Sequence, residues 1–260
     1  MRMLESSMDN FVAVDIETTG LNPRTEKIIE IGAVRVRSGR IEGEFTTFVQ
    51  PEKKVSSFIT ELTGITDAML DGVPKKESAL RAFLDFARQD TLLGHNISFD
   101  YSFLKKNIEE IGEKFVRKGI DTLKIARKLL PDLEDRSLTN LCHYYQIENT
   151  HAHRAKEDAI AAFQLYSRLK KEYDNHIETT KLFYPAPLYC RIKKDSPATA
   201  AQLKYLKALL AYHGLSTEMI AADFAKSTEN DKWTNYKDLT KREASRQIDK
   251  IILIYGKIPR

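Results

Sequence analysis

The stretch Phe11-Val12-Ala13-Val14-Asp15-Ile16-Glu17-Thr18-Thr19-Gly20 decides how this chain reads. Its apolar run predicts a buried β-strand that ends in two carboxylates and breaks at a glycine. Strand side chains alternate faces, so Val12, Val14 and Ile16 share one side while Phe11, Ala13, Asp15 and Glu17 share the other. Two acids on one face repel each other and are costly to desolvate unless positive charge lies between them. A divalent cation held by hard oxygen ligands meets that need. A strand running out into a solvated acidic turn would read the same way, so the rest of the chain must discriminate.

The chain has 260 residues, 42% hydrophobic and 30% charged, which is the composition of a soluble globular protein with room for one large domain and an appendage. Cys142 and Cys190 are far apart and form no C-x-x-C pattern, so neither a disulfide framework nor a zinc site is expected. Met1 to Asn10 contains no apolar run, and no stretch approaches the roughly 20 apolar residues of a spanning helix. The expectation is a cytoplasmic protein with no membrane partner. Net charge is +4, unevenly placed: from His176 onward there are 15 Lys and Arg against 9 Asp and Glu, leaving 26 against 28 in residues 1–175. A basic C-terminal third suits either a polyanion or plain solvent.

Outward from the first strand, Lys27 to Arg37 reads as a second strand, Ser38-Gly39-Arg40 as a turn and Glu44 to Val49 as a third strand. Ser56 to Leu70 reads as short helical material interrupted at Gly64, and Glu77 to Arg88 as a helix. Thr91 to Gly94 reads as a buried strand running into His95-Asn96, with Ser98 expected to cap a helix reaching Ile111. Thr122 to Leu130, Ser137 to Tyr145 and Arg154 to Glu172 read as helices. This order predicts an α/β fold, a mixed sheet flanked by helices. Residues 1–174 form the first domain of this reading, and 175–199, with three prolines, a linker. The remainder, 200–260, is a small basic helical module. In it Ala200 to His213 and the segment after a capping box at Thr240–Glu243 carry apolar stripes, and Trp233 and Tyr236 sit among lysines.

Two further segments carry acids. His95-Asn96-Ile97-Ser98-Phe99-Asp100 lies at a strand-to-helix junction, where ligands bind in α/β sheets. Asp100 would fall in the first helical turn, where the macrodipole alone favours an acid. In His153-Arg154-Ala155-Lys156-Glu157-Asp158, positions five apart differ by about 140° in a helix, so His153 is expected in the preceding loop and Asp158 on the helix itself. There Asp158 is the only charge on a stripe with Ala155, Ala162, Leu165 and Leu169, a costly place without a metal partner. Gly64, with Ile65 after it, permits close approach of backbone to a ligand or simply makes a tight turn. Four acids and a histidine over three segments are the equipment of two-metal phosphodiester hydrolysis, with the histidine as general base.

Asp15-x-Glu17-Thr-Thr-Gly, His95-Asn-x-x-Phe-Asp100 and His153-x4-Asp158 resemble the three motifs of the DnaQ-like 3′→5′ exonucleases of the DEDDh type. Within that superfamily, residues 9–172 resemble the exonuclease domain carried by the C-type replicative DNA polymerases of Gram-positive bacteria. Glu61 to Leu70 and Ile120 to Arg127 support the likeness. The resemblance implies an RNase H-like fold and two divalent ions, Mg²⁺ or Mn²⁺, with Asp15, Glu17, Asp100 and Asp158 as ligands and His153 as the base. It places substrate contacts near Thr18, Thr19, Gly20, Leu21, Gly64, Ile65, His95, Asn96 and Phe99.

The resulting expectation is hydrolysis of single-stranded or frayed DNA from the 3′ end to nucleoside monophosphates, in repair or in proofreading in trans, since no polymerase accompanies the motifs. Trimming of RNA is the alternative within the same chemistry, because no residue reveals how the pocket treats a 2′-hydroxyl. An inactive adaptor is a third reading, and the complete acid-and-histidine set argues against it. The C-terminal module is expected either to bind single strands or to mediate self-association or docking on a replicative polymerase.

Overall fold

The computed structural model describes residues 10–149, 153–174, 177–190, 196–216 and 239–258. Trp233 and Tyr236 lie outside them. The chain divides into two compact units, 1–192 and 193–260.

The first unit is built on a six-stranded mixed sheet in the order β3-β2-β1-β4-β5-β6. β1 (Phe11–Thr18), β2 (Ile28–Arg37) and β3 (Arg40–Phe48) form an antiparallel meander. Its second turn places Ser38 at φ 51° and Gly39 at φ 73°, the pair of left-handed residues that suits the right-handed twist of a tight hairpin. β4 (Leu92–Gly94) runs parallel to β1, and β5 (Lys118–Asp121) parallel to β4. β6 (Ala186–Pro187) closes the far edge antiparallel to β5.

Among the described residues the helices of this unit are α1 (Ser57–Thr63), α2 (Lys76–Ala87), α3 (Ser98–Glu110), α4 (Thr122–Leu129), α5 (Leu138–Tyr145), α6 (Ala155–Tyr173) and the single turn α7 (Ile177–Thr180). The alternation of β1 sorts them into two layers. Phe11 and Ala13, with Val34 and Val36 of β2, meet Ala159, Ala162, Leu165, Tyr166 and Leu169 of α6. Val12, Val14 and Ile16, with Ile31 and Ala33, meet Leu80 and Phe83 of α2 and Tyr101, Phe103 and Leu104 of α3. The charged end of β1 therefore points to the α6 side, as its pattern requires.

Three expectations change. Ser98 does not cap α3; Ile97 precedes the helix in a helical conformation with no capping side chain, and Ser98 is its first residue. β5 and β6 were not foreseen, being four and two residues long. The stretch from 175, expected as a linker packing partly in extended form, belongs to the first unit as far as residue 192. Phe183 is buried against Tyr166, and Leu188 occupies the space a side chain on Gly119 would need.

The second unit pairs α8 (Ala200–Tyr212) with α9 (Lys241–Tyr255) around Leu206, Leu209, Leu210, Leu239, Ala244 and Ile251. Thr240 and Glu243 form the expected capping box, and Thr199 with Gln202 forms a second. Gln202 also donates to the Lys241 carbonyl and to Ser245 Oγ, both at 2.9 Å, tying one helix start to the other. Among the described residues no helix is long and apolar enough to cross a membrane.

One contact sets the height of α6 above the sheet. A Cβ on Gly32 would lie 2.0 Å from Lys156 N and 2.2 Å from the Ala155 carbonyl carbon, backbone that has nowhere to go. Gly32→Ala should lower the unfolding free energy by about 3 kcal/mol, at the upper end for an overpacked core. Gly43→Ala, whose Cβ would meet only a Phe86 ring carbon at 3.6 Å, is the control and should shift it little. Urea melts of the two variants with equal midpoints would contradict this packing.

Candidate active site

Asp15 and Glu17 leave β1 on the α6 face, and their partners across the ladder are Gly32 and Glu30. Because Gly32 has no side chain, the first turn of α6 settles directly above Asp15. That turn has no capping side chain of its own: Arg154 occupies the cap position and makes no such bond. Glu30, 2% exposed, supplies one from the neighbouring strand. It accepts from the Ala155 N–H at 3.2 Å and from Arg154 Nη2 and Nε at 2.8 and 3.2 Å. A carboxylate facing the first turn satisfies an orphan N–H and complements the macrodipole.

His153 precedes this turn, exposed and at φ 65°, as expected of a loop residue. Asp158, one turn into α6, accepts from the His153 backbone N–H and from Asn149 Nδ2, each at 2.9 Å. The sequence reading of Asp158 as an acid without partners is thus corrected: each of its oxygens has a protein donor. The Glu17, His153 and Asp158 ligand atoms all lie within 4.8 Å of one another. Asp100 is buried in the first turn of α3, and its carboxylate accepts the Ile16 N–H at 3.2 Å. It thereby touches β1 between the two strand acids.

Burial raises the Asp15 carboxyl well above the usual range, and the charges of Asp100, Asp158, Glu17 and Glu30 raise it further. Burial likewise moves Glu17 to about 8, with Asp158, Glu30 and Asp100 adding and Arg154 opposing. Asp100 also rises to about 8 through burial, partly offset by backbone N–H donors and reinforced by Asp121 and Asp158. Asp158 is raised by burial against the opposing bonds of Asn149 and His153. Among the described residues, the Asp15 and Glu17 carboxylates accept no hydrogen bond from the protein, and Asn149 Oδ1 is buried without a partner. Hard oxygens in excess of positive charge suit a divalent cation of the Mg²⁺ or Mn²⁺ kind. Asp15, Glu17, Asp100 and Asp158 could hold it, with His153 at the rim.

The substrate-contact expectations divide. Thr18 and Thr19 are buried with their hydroxyls committed inward, Thr18 Oγ1 to the Gly20 carbonyl at 2.7 Å and Thr19 Oγ1 to Glu26 at 2.8 Å. What this loop offers a ligand is its backbone. Leu21 is 84% exposed, free to lie against a base. Asn96, at φ 61°, has its N–H on Asp121 while its side-chain amide is free of hydrogen bonds among the described residues. Phe99 packs against Phe103 with the rings tilted and their centroids 5.1 Å apart, partly buried.

His95 is different: Nδ1 meets Thr122 Oγ1 at 3.0 Å and Nε2 the Arg136 carbonyl at 2.9 Å, so both ring nitrogens are consumed by the fold. Ile65 is fully buried with Ile29, Ile59 and Leu70, and its N–H and carbonyl bond to Thr63 and Thr60. Gly64, at φ 73°, ends α1 and leaves open space around its Cα.

Glu30, Arg154 and Asn149 were not singled out from the sequence. Glu30 had a signal, a lone acid inside the apolar strand Ile28 to Val36. Asn149 had none, since only the fold brings it to Asp158.

The sequence model of the exonuclease family matches residues 12–166. The chain is 40% identical over 166 residues to the DNA polymerase III PolC-type of Caldanaerobacter subterraneus, covering 64% of this chain and 12% of that protein. For the Bacillus subtilis protein of the same description the values are 39% over 174 residues, 66% and 12%. For that of Thermotoga petrophila they are 35% over 202 residues, 72% and 15%. The chain thus spans no more than 15% of the length of these relatives.

Among solved structures, Escherichia coli exonuclease I in complex with a dA16 oligonucleotide gives a TM-score of 0.58 at 18% identity, over 67% of this chain and 42% of that one. Exonuclease X in complex with 5′ overhanging duplex DNA gives 0.52 at 23%, over 67% and 99%. A 3′-exonuclease that recognises the histone mRNA stem-loop gives 0.55 at 20%, over 70% and 91%. At such identities the likeness is one of fold, the RNase H-like exonuclease sheet with its flanking helices.

The raised carboxyls fix a pH signature. Their native values exceed their unfolded ones, so the native state binds more protons between about pH 4 and pH 8. Stability from these groups is present below about pH 4 and is lost as pH rises through about 8. The metal-free protein should therefore melt at a falling temperature from pH 5 to pH 8, and Mn²⁺ should restore the melting temperature most at the alkaline end. Glu17→Gln should flatten the slope. Scanning calorimetry that finds the same slope in both proteins would contradict the coupling.

Proposed function

This chain belongs to the exonuclease family and is an exonuclease of the DEDD type, and from that premise we propose that it removes nucleoside monophosphates from the 3′ end of single-stranded or frayed DNA. The observation that carries the reading is the grouping of Glu17, the exposed His153 and Asp158 with ligand atoms within 4.8 Å of one another, beside Asp15 and Asp100, whose charges act on the same group. Such crowding of carboxylates is costly to the fold and has a use only if a cation is to be held.

Two divalent ions bound there would neutralise the scissile phosphate and lower the pKa of water, as in other phosphodiester hydrolases. The chain's own residues do the rest. The Thr18 to Gly20 backbone receives the terminal nucleotide, and Leu21 lies against its base. His153 accepts the proton of the attacking water as that oxygen bonds to phosphorus and the bond to the 3′ oxygen of the preceding nucleotide breaks. His95 and Ile65 act indirectly, by fixing the loops before α5 and after α1.

DNA is preferred to RNA as substrate because the relatives at 35–41% identity are DNA polymerases. The second unit would then serve either strand binding or docking on a partner such as a replicative polymerase.

The test is digestion in Mg²⁺ of single-stranded DNA and RNA of one sequence, labelled at either end. Wild-type protein should shorten DNA stepwise from the 3′ end. Asp15→Ala should abolish this, and His153→Gln should lower kcat by about 10² or more, the usual weight of a general base. A preference for RNA would retain the chemistry and change the polymer, whereas equal activity of wild type and Asp15→Ala would dispose of the site. Ending the chain at Ile192, where the first unit ends, should weaken single-strand binding and its salt dependence if the second unit binds nucleic acid.

A further inference from the structure

We propose that the pair of buried Glu30 and part-exposed Arg154 is a positioning device for the reaction, holding the start of α6, and with it His153 and Asp158, at the height of Asp15 and Glu17. The inference rests on the exonuclease reading above and assigns work to two residues that neither touch a substrate nor reach a ligand. Arg154 is pinned from three sides. Its guanidinium takes both Glu30 oxygens, its Cζ lies 5.5 Å from the centre of the Phe48 ring, and its neighbour Ala155 donates to the same Glu30 carboxylate. Phe48 and Glu30 are partners across β2 and β3, so the arginine spans two strands. Lys156 extends the attachment to β3 through Glu44 at 3.0 Å.

The need for such an anchor lies in the residue before it. His153 holds φ 65°, a left-handed conformation unfavourable to an L-residue with a β-carbon, which persists only when its surroundings impose it. Two constraints act on it: the Asp158 carboxylate on its own N–H, and the fixed Arg154–Ala155 unit that follows. Asp158 is itself carried by α6, so both trace back to the anchored turn. Gly32 brings that turn close and Glu30 fixes its position. Glu30 also stands opposite Glu17 on the ladder, so the same residue that seats α6 lies beside one of the acids it must face.

An ion pair with one buried and one part-exposed partner is weak evidence for a stabilising role, because exposure weakens its attraction and well-packed apolar residues often replace such a pair at little loss of stability. That separates positioning from structure experimentally. The double variant Glu30→Met/Arg154→Met should melt within a few degrees of wild type, keep KM for a single-stranded oligonucleotide within about twofold, and lose about thirtyfold or more in kcat. Arg154→Lys, which keeps the charge and one hydrogen bond but not the fork, should recover part of that loss. In the metal-free proteins, the His153 imidazole C2–H resonance, identified by its absence in His153→Gln, should move between wild type and Glu30→Gln.

A double variant that retains kcat, or a His153 resonance that stays in place in Glu30→Gln, would overturn the proposal. If the double variant fails to fold, Glu30→Gln, which preserves shape and the acceptor for Ala155, carries the same kinetic test. Wild-type protein inactive on both polymers would instead count against the exonuclease reading, and the resonance of His153 would still decide the present one.

Discussion

The backbone of α6 at Ala155 and Lys156 crosses Gly32 at a distance that no side chain could share, and the carboxylate cluster is arranged around that contact. β1 delivers Asp15 and Glu17 to one face of the sheet whatever lies above them, since alternation alone puts them there. Whether they become a site depends on what closes over that face. With a larger residue at position 32, the helix would ride higher, and Asp158 would pass from the company of Glu17 into solvent. The absence of one methyl group therefore converts a charged strand end into a cluster.

That cluster is held against its own electrostatics. Asp15, Glu17, Glu30, Asp100 and Asp158 act on one another at short range, and burial withholds the water that would screen them. The protein answers three of the five with donors: Ile16 N–H for Asp100, Asn149 and His153 for Asp158, and the Arg154 fork with Ala155 for Glu30. Asp15 and Glu17 are left to an external charge. The donors come from across the cleft: Ile16 of β1 serves Asp100 on α3, and Arg154 with Ala155 at the start of α6 serves Glu30 on β2. Stability of order 5–15 kcal/mol for a whole domain leaves little room for such repulsion, so the anchoring bonds around it have to be good.

How much of this was legible in the sequence depends on how far each feature reaches along the chain. The β1 faces, the α6 stripe and the loop placement of His153 follow from local periodicity and appear where the pattern put them, and the meander forms as expected except that β3 starts at Arg40, four residues before the Glu44 expected. Asp158 was identified by being anomalous on an apolar stripe, though its isolation proved incomplete once Asn149 folded beside it. Glu30 was equally anomalous in its strand and was passed over, because one acid between isoleucines reads as an edge residue until Arg154, 124 positions away, is seen to meet it. β5 and β6 are too short to carry a period, and the proline-rich stretch after residue 175 looks like a linker because its anchor, Phe183 on Tyr166, is a single buried ring.

His95 shows why motif position and chemical role can part company. It stands between β4 and α3, five residues before Asp100, and an imidazole there invites a role in binding. Its ring is instead saturated, with Thr122 at one nitrogen and the Arg136 carbonyl at the other, and burial lowers its pKa so that the neutral form is favoured. A neutral imidazole has one donor and one acceptor, which matches a hydroxyl on one side and a carbonyl on the other if Nε2 carries the proton. The ring therefore works as a two-ended bolt between the end of β4 and the loop before α5. His153, by contrast, has an exposed ring and a backbone held from both sides. Of the two histidines in the motifs, His153 is the one whose ring lies exposed beside Glu17 and Asp158, which is what the proposed role of proton acceptor requires.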